Sequence, residues 1–432
     1  MHIVVECLPE INVSCQIGSF LRAGPVMSLA FPCHRCYNLL TGKEESAAMP
    51  RSKTSSSYQS MVNHDKKISL QIRNWLILIV VVLLIGLAIY LISHLGSVTE
   101  ISSVVLPCYA YQDVTPFGDS IIYYDSASIH CLNATGGVKW SLPVGANAHF
   151  SVSDSNIVVW SGSRLFIVNK DGRPSYNETQ LAEVQFARIG SKYCAAVIGT
   201  DTHPTLIVRA LDGTSVDEET EAYNNLMMLD VGFFGEADQY MWTLAMDVYG
   251  TAINTVLNTF QVGKMNTGIV NLGEFLAYKV LYENTKLHVF TTQQMYTYDY
   301  KAVQDMSDTR LVYGWYYLDS YVPERGNAYI LLAPNAKRTS TQTMTELRLL
   351  TGSIDRRYTL PSACFGAAIQ GKNLYAISKD YLYRADVGKQ SFYGYPLKLS
   401  AESEVTDFFG LTSSGRAVVA CGDVVYSISL PQ

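Results

Sequence analysis

The sequence of 432 residues is poor in the features that mark several large classes of protein. Basic residues are too few for a general nucleic-acid binder: 32 Lys and Arg stand against 38 Asp and Glu, whereas contact with phosphates needs a basic face. Only 16% of residues are charged and 48% are hydrophobic, which excludes a disordered or coiled-coil chain. A G-x-S-x-G elbow and an H-E-x-x-H motif are also missing. The sequence therefore predicts no catalytic, metal or cofactor site.

Charged residues are also missing from one long stretch, residues 75–95, which reads WLILIVVVLLIGLAIYLISHL. As a helix this stretch is roughly 31 Å long, and the hydrocarbon core of a bilayer is about 30 Å thick. A cleavable signal peptide fits less well, because its apolar part is only about 7–15 residues long. The sequence therefore predicts one transmembrane helix at 75–95, with the lipid bilayer as a partner.

The flanks of this helix predict its orientation, because Lys and Arg gather on the cytoplasmic side of a membrane helix. Residues 1–95 carry 8 Lys and Arg against 5 Asp and Glu, while the first basic residue after the helix is Lys139. Residues 1–74 are thus predicted to be a disordered cytoplasmic tail. Residues 96–432 are predicted to be the extracytoplasmic domain of a single-pass protein of the cell membrane.

The first 48 residues fit no regular pattern. They hold four of the nine cysteines and show no sustained helical or strand period. From Met49 the chain reads as an ordinary polar and basic tail, so we expect translation to start at Met49. Cys33 and Cys36 have the C-x-x-C spacing of half a zinc site, but no second pair follows at finger spacing, so no zinc site is predicted.

Beyond the membrane helix, short β-branched and aromatic runs alternate with polar turns, as is typical of strands. One such unit recurs along the domain at intervals of 35 to 52 residues, and propeller blades recur at roughly 40–50 residues. The equivalent positions are Ile129, Leu165, Ile207, Val256, Met295, Leu347, Leu382 and Val425.

These repeats predict an all-β fold, a β-propeller of seven or eight four-stranded blades, preceded by the transmembrane α-helix. A blade cannot bury both of its faces alone, and radial stacking supplies the missing neighbours. The number of repeats favours eight blades. The last repeat shows three strands, so we expect the strand at 103–110 to complete it. Two β-sandwich domains are the structural alternative.

Residues 132–143, LNATGGVKWSLP, resemble the repeat of the pyrroloquinoline-quinone-like, or quinoprotein-type, β-propellers, and residues 167–174 and 208–214 resemble it in part. The resemblance implies that Trp140 packs between neighbouring blades. Residues 49–432 are also similar to an uncharacterised family of bacterial single-pass proteins with an outward-facing propeller. Quinoprotein enzymes hold their cofactor with adjacent cysteines, which this sequence lacks. The resemblance therefore implies a fold and no redox cofactor.

Cysteine, histidine and acidic residues of the outer domain show no ligand spacing. Five cysteines make an odd number and lie mostly in apolar strands, so we expect buried free thiols. If one pair bridges, ring closure suggests Cys108 with Cys131 or with Cys421. The histidines stand alone in strands or turns and are expected to be partnered structural residues. The acidic run at 217–221 is expected to be a solvated face.

Tyrosine is used often, with 29 residues, and residues 313–321 read YGWYYLDSY. Packing between blades is the favoured interpretation of such strand aromatics. The alternative is an interaction surface, because aromatic side chains are enriched in protein interfaces. The residues of this candidate surface are Tyr313, Trp315, Tyr316, Tyr317 and Tyr321.

Two functions remain compatible with the sequence. The first is a non-enzymatic scaffold of the cell envelope, whose propeller binds a protein or a cell-wall polymer. The second is an extracytoplasmic enzyme that acts on glycans, with acidic groups that converge from different blades and so leave no motif. Two or more carboxylates in the central funnel would favour the second, because glycosidases use paired carboxylates.

Overall fold

The structure is a computed structural model that describes residues 74–90, 101–264, 268–334, 342–399 and 404–431. The chain divides into two compact units, Met1–Leu95 and Gly96–Gln432. In the first unit, residues 74–90 form a helix, α1, which overlaps the predicted membrane span. Among the described residues, no helix has both the length and the apolar character needed to cross a membrane. The predicted tail, its Met49 start and the Cys33 and Cys36 pair lie outside the described residues.

Strands dominate the second unit, and each of its first five sheets has four antiparallel strands in chain order. Blade 1 consists of β2 (Asp113–Phe117), β3 (Ser120–Tyr124), β4 (Ser128–Asn133) and β5 (Val138–Pro143). Blade 2 consists of β6 (His149–Val152), β7 (Asn156–Ser161), β8 (Arg164–Asn169) and β9 (Pro174–Thr179). Blade 3 consists of β10 (Val184–Ile189), β11 (Tyr193–Thr200), β12 (His203–Ala210) and β13 (Ser215–Glu219). Blade 4 consists of β14 (Met227–Phe234), β15 (Tyr240–Asp247), β16 (Asn254–Gln261) and β17 (Gly268–Asn271), and blade 5 of β18 (Ala277–Glu283), β19 (Lys286–Thr291), β20 (Gln294–Asp299) and β21 (Arg310–Leu311).

The next sheet has seven strands because one long strand serves two blades. The first part of this strand pairs with the strand before it, Arg356 opposite Leu349, and the second part pairs with the strand after it, Ala367 opposite Ala376. Blades 6 and 7 therefore share β25. Their strands are β22 (Trp315–Tyr321), β23 (Tyr329–Pro334), β24 (Met344–Thr351), β25 (Ile354–Gln370), β26 (Asn373–Ser378), β27 (Tyr381–Asp386) and β28 (Tyr393–Pro396).

Blade 8 joins the two ends of the domain. Its strands are β29 (Asp407–Thr412), β30 (Arg416–Cys421), β31 (Val424–Ser429) and β1 (Ser103–Tyr109). Val104 of β1 lies opposite Ser427 of β31 in an antiparallel ladder. The expected completion of the last blade by the strand at 103–110 is thus confirmed, and the described residues form eight blades.

Each predicted repeat position lies in the third strand of a different blade. Ile129 is in β4, Leu382 is in β27, and the other six follow the same rule. The predicted period is therefore the period of the blades, and the eight-blade alternative is the one observed. Short helical turns are present only in connecting segments of the described residues: Glu221–Tyr223, Glu236–Asp238 and Met306–Asp308.

Neighbouring blades enclose apolar clusters, and these clusters run round the ring. Blades 1 and 2 share the cluster that contains Ile129 and Val159. Blades 8 and 1 share the cluster that contains Leu106, Ile121 and Val418. Six further clusters cover the six remaining neighbouring pairs. A closed ring explains this arrangement, so the alternative of two β-sandwich domains is wrong.

Trp140 of β5 packs across to blade 2, as its resemblance to the quinoprotein-type repeat implied. Its Nε1 donates a hydrogen bond to the backbone oxygen of Lys170 at 2.9 Å. Its ring lies against Gly172, where a Cβ atom would be 2.5 Å from the ring. Tyr176 of blade 2 covers Gly213 of blade 3 in the same way. Both glycines also have positive φ, so each turn favours glycine for two reasons: the backbone conformation and the close approach of the aromatic ring.

The outer cysteines are buried. Cys108, Cys131 and Cys421 are free thiols, so the suggested pairing of Cys108 is wrong and the expectation of buried thiols is confirmed. Burial raises the pKa of Cys108 to about 12 and that of Cys421 to about 11, because an apolar environment disfavours the thiolate. These groups pack as small apolar side chains.

The Trp140 contact predicts a large effect of Gly172→Ala, because the added Cβ collides with the indole ring at 2.5 Å. Gly162→Ala is the matched control, since Gly162 also has positive φ but has nothing within 4 Å of an added Cβ. Both variants should lose about 1–2 kcal/mol of unfolding free energy from backbone strain. Gly172→Ala should lose about 1–3 kcal/mol more from overpacking, measured by urea unfolding. Equal losses of unfolding free energy in the two variants would show that the Trp140 ring does not pack against Gly172.

Candidate functional site

The connections between strands lie on two faces of the propeller. Linkers between blades meet the turns between second and third strands; for example, Val312 N donates to Gln293 O. At the other end, turns between third and fourth strands meet turns between first and second strands; for example, Leu211 N donates to Lys192 O. We call the first end the linker face and the second end the turn face.

A cavity of about 1150 Å³ lies at the turn face, where the first strands of five blades end. Strands β2, β6, β22, β25 and β29 and the turns that follow them supply its wall. First strands of several neighbouring blades contact one another, for instance β2 with β29 and β22 with β25, which indicates that the first strand is the innermost strand of a blade. The cavity is therefore the mouth of the central channel. Polar side chains in its wall include Asp154, Asp319, Ser320, Gln370, Thr412 and Ser413.

Two carboxylates and no Lys, Arg or His side chain are found among the described residues of this wall. Asp154 is exposed in the turn after β6. Asp319 is partly buried in β22, just beyond an irregularity in the ladder between Tyr317 and Asp319. The two acidic residues thus come from blades 2 and 6, which lie on opposite sides of an eight-bladed ring. Sequence reasoning expected convergence of this kind for an enzyme but could not name the residues.

Asp319 is held by the backbone of the next blade. Its Oδ2 accepts a hydrogen bond from Ile369 N at 2.9 Å. Burial raises the pKa of Asp319, while the backbone hydrogen bonds from Ile369 and Ser320 and the charge of Lys279 act in the opposite direction. A desolvated carboxylate gains more from an incoming cation than a hydrated one does.

The five aromatic residues of the predicted interaction surface do not lie on one surface. Trp315 is buried, with 8% of its surface exposed, and Tyr316 and Tyr317 are partly buried. Tyr313 is 72% exposed in the linker before β22. Tyr321 lies at the other end of β22, where it lines the central cavity. Tyr313 and Tyr321 are the most exposed of the five, and they lie towards opposite ends of the blade.

Packing between blades accounts for the inner aromatic residues of this run. Trp315 of blade 6 belongs to one apolar cluster with Phe290 and Met295 of blade 5. The rings of Tyr316 and Tyr278 are 5.3 Å apart, which joins blades 6 and 5. The favoured sequence interpretation, packing between blades, therefore holds for these residues.

His288 is held between a carboxylate and a hydroxyl inside blade 5. Its Nε2 lies 2.7 Å from Glu283 Oε2, and its Nδ1 lies 2.9 Å from Thr297 Oγ1. Burial opposes ionisation of Glu283, but hydrogen bonds from His288 and from the backbone of Ala328 outweigh it, so the pKa of Glu283 lies below its usual range. Thr297 is fully buried, so no substrate can reach its hydroxyl. The chain of contacts ties strands together.

Blade 1 contains a similar arrangement. His130 Nε2 lies 2.8 Å from Asp125 Oδ2, and His130 Nδ1 lies 2.7 Å from Ser141 Oγ. The ring of Tyr123 stacks on the imidazole at 4.7 Å. His130 links the turn before β4 to β5, much as His288 links the end of β18 to β20. Both histidines are partnered structural residues, as their strand positions predicted.

The acidic run at 217–221 joins two blades. Asp217 Oδ2 accepts a hydrogen bond from Gly263 N at 2.6 Å, and Gly263 belongs to the turn after β16. This contact was not expected from the sequence, which suggested a solvated face. Over the described ranges, no three His, Cys, Asp or Glu side chains form a group that could hold a metal ion.

Glu283→Gln should destabilise the protein at pH 7 and not in acid. The lowered pKa of Glu283 contributes stability above the unfolded-state value of about 4.3, and that stability is lost as pH falls through the folded-state pKa. The variant should lose about 1.5–3 kcal/mol at pH 7, because a charged hydrogen bond becomes a neutral one. Urea unfolding between pH 7 and 3 measures the difference. Glu274→Gln, at an exposed linker position, is the control, and a loss that persists unchanged at pH 3 would contradict the assignment.

Comparisons with known proteins show the fold. No protein-family model matches the chain, and no curated protein matches it. Sqt1 of Saccharomyces cerevisiae aligns with a TM-score of 0.50 and 8% identity over 77% of this chain and 100% of Sqt1. BamB from Moraxella catarrhalis aligns with a TM-score of 0.47 and 9% identity over 77% of this chain and 98% of BamB. The Neurospora crassa Pan2 WD40 domain aligns with a TM-score of 0.45 and 6% identity over 77% and 96% of the two chains. Together with the ring of blades, the likeness to Sqt1 establishes a β-propeller.

Proposed function

We propose that the protein is a single-pass scaffold of the cell envelope, anchored in the cell membrane by residues 75–95. Its N-terminus is cytoplasmic, and its propeller binds a protein partner on the extracytoplasmic side. The observation that carries the proposal is the wide central cavity on the turn face, which five blades hold open. A rigid concave site of this kind suits the capture of a protruding segment.

The anchoring part of the proposal is supported by α1. All its described residues are exposed, and its apolar side chains include Leu83, 67% exposed, and Ile89, 62% exposed. A soluble helix normally buries one apolar side, so an apolar helix exposed all round needs another apolar environment. Residues 75–95 carry no Asp, Glu, Lys or Arg, and the basic residues precede them.

The relationship to quinoprotein-type repeats is also part of the proposal. Gly136, Gly172 and Gly213 occupy equivalent turns before the fourth strands of blades 1, 2 and 3, and all have positive φ. These are the three places where the sequence resembles that repeat. A shared turn geometry supports a common repeat origin for these blades.

A glycan-acting enzyme remains the second candidate function. The observation that favours it is the presence of Asp154 and Asp319 in one cavity. Glycosidases need two carboxyl groups roughly 5–9.5 Å apart, one of them protonated at working pH. The engagement of Asp319 by the backbone of Ile369 favours a structural or binding role for it instead. Hydrolysis of cell-wall glycan by the purified protein, abolished by Asp319→Asn, would establish the enzyme.

The membrane topology is tested with reporter fusions in bacterial cells. Alkaline phosphatase is active only outside the cytoplasm, so fusion after Gln432 should be active and fusion after Asn74 inactive. Fractionation should place the first fusion in the membrane. Activity of the fusion after Asn74, or release of the first fusion in soluble form, would contradict the proposed anchor.

Binding at the turn face is tested by photo-crosslinking in living cells. A photoreactive amino acid at Tyr321 or Val322, both in the cavity wall, should give a reproducible protein adduct. Val138 is the control position, because it is 60% exposed on the outer strand of blade 1. Adducts only at Val138, or none at any position, would contradict a partner at the cavity.

A further inference from the structure

We propose that the central cavity binds a Lys or Arg side chain from a loop or chain end of a protein partner, whose cationic head is attracted first by Asp154 at the mouth and then by Asp319 inside the channel. The inference rests on the proposed scaffold function and deepens it, because it names the chemistry of the partner. It makes the cavity a specific docking site.

The first argument is charge complementarity. The described wall carries two carboxylates and no basic side chain, so no residue of the wall itself repels a cation. Lys279 acts on Asp319 through its charge, but it is not part of the wall, and its ammonium lies 5.0 Å from the ring centre of Tyr317. A phosphorylated or acidic partner would be repelled by the same wall.

The second argument is the placement of the two carboxylates around the ring. Asp154 belongs to blade 2 and Asp319 to blade 6, four blades apart in a ring of eight. They therefore face the channel from opposite sides, and each belongs to a different blade. Asp154 is exposed in a turn, whereas Asp319 is partly buried in a strand. This order suits a cation that is attracted at the mouth and received further inside.

The third argument is the apolar part of the wall. Leu318, Val322 and Phe408 line the same cavity as the carboxylates. Lys and Arg bury their long aliphatic stems against apolar surface while the charged head reaches polar groups. Tyr321 is also in the wall, and aromatic rings attract cations. A small inorganic cation would use none of these features.

The experiment selects peptides on the full-length protein. The protein is placed in phosphatidylcholine nanodiscs, which carry no net charge, and a phage library of random heptapeptides is selected on it after depletion on empty nanodiscs. Selected sequences should share a Lys or Arg at one position. A synthetic copy of the best peptide should lose about tenfold or more in affinity when that residue becomes norleucine, as expected for loss of a desolvated charge pair.

The cavity is then tested with matched double variants. Asp154→Asn with Asp319→Asn should weaken the peptide by about tenfold or more. Asp171→Asn with Asp423→Asn changes the net charge equally at exposed positions outside the cavity wall, and it should leave the affinity unchanged. If the first variant unfolds, as judged by circular dichroism, Asp154→Asn alone serves, because Asp154 is exposed.

Several results would overturn the inference. Selected peptides without a shared basic residue would do so, as would equal losses in the two double variants. Displacement of the peptide by spermidine at equal concentration would assign the site to small cations rather than to a protein segment. If Tyr321 and Val322 give crosslinks but no basic peptide is selected, the scaffold stands and this inference fails. If those crosslinks fail, the proposed function itself is wrong.

Discussion

The fold depends on the burial of apolar surface between neighbouring blades. A four-stranded blade has two apolar faces, and each face is covered by a different neighbouring blade. Eight clusters meet this need, and the cluster between blades 8 and 1 requires β1, which supplies Leu106. Full burial of a side chain such as Leu is worth about 1.5–3 kcal/mol. The ladder between β1 and β31 therefore joins the start of the domain to its end.

The sequence was most informative about the repeat. The spacing of eight apolar positions predicted one blade for each position, because a blade-length period is a local property of the chain. The incomplete last repeat predicted β1 for the same reason: three strands leave one edge open. Trp140 was placed correctly by its resemblance to a known repeat. The cysteines also followed from local context, since apolar strands bury small side chains.

The site was harder to predict because it depends on ring geometry and on strand register. Asp154 and Asp319 are far apart in the chain and meet one cavity only because blades 2 and 6 stand opposite each other. Which aromatic residues of the tyrosine-rich run are buried depends on an irregularity of the ladder between Tyr317 and Asp319. It changes the side of the strand that each later residue faces. A local pattern of aromatics could therefore not separate Trp315, which is buried, from Tyr321, which lines the cavity.

These properties combine in one account of the molecule. Closure of the ring fixes the innermost strands, and the ends of five of them form a cavity that carries carboxylates, apolar side chains and an aromatic residue. A closed ring changes shape little on binding, so recognition relies on the chemistry of the wall more than on movement. The cavity unites a concave shape with two carboxylates and, among the described residues of its wall, no basic side chain.

Hydrogen exchange of β1 in the full-length protein tests the central claim, ring closure, most directly. Mass spectrometry resolves peptides from residues 103–109 and from β31. If β1 closes the ring, its ladder amides should exchange as slowly as those of β31, because both open only when blade 8 opens. Exchange of β1 within seconds, while β31 and the other blades stay protected, would contradict a ring that is closed by this strand.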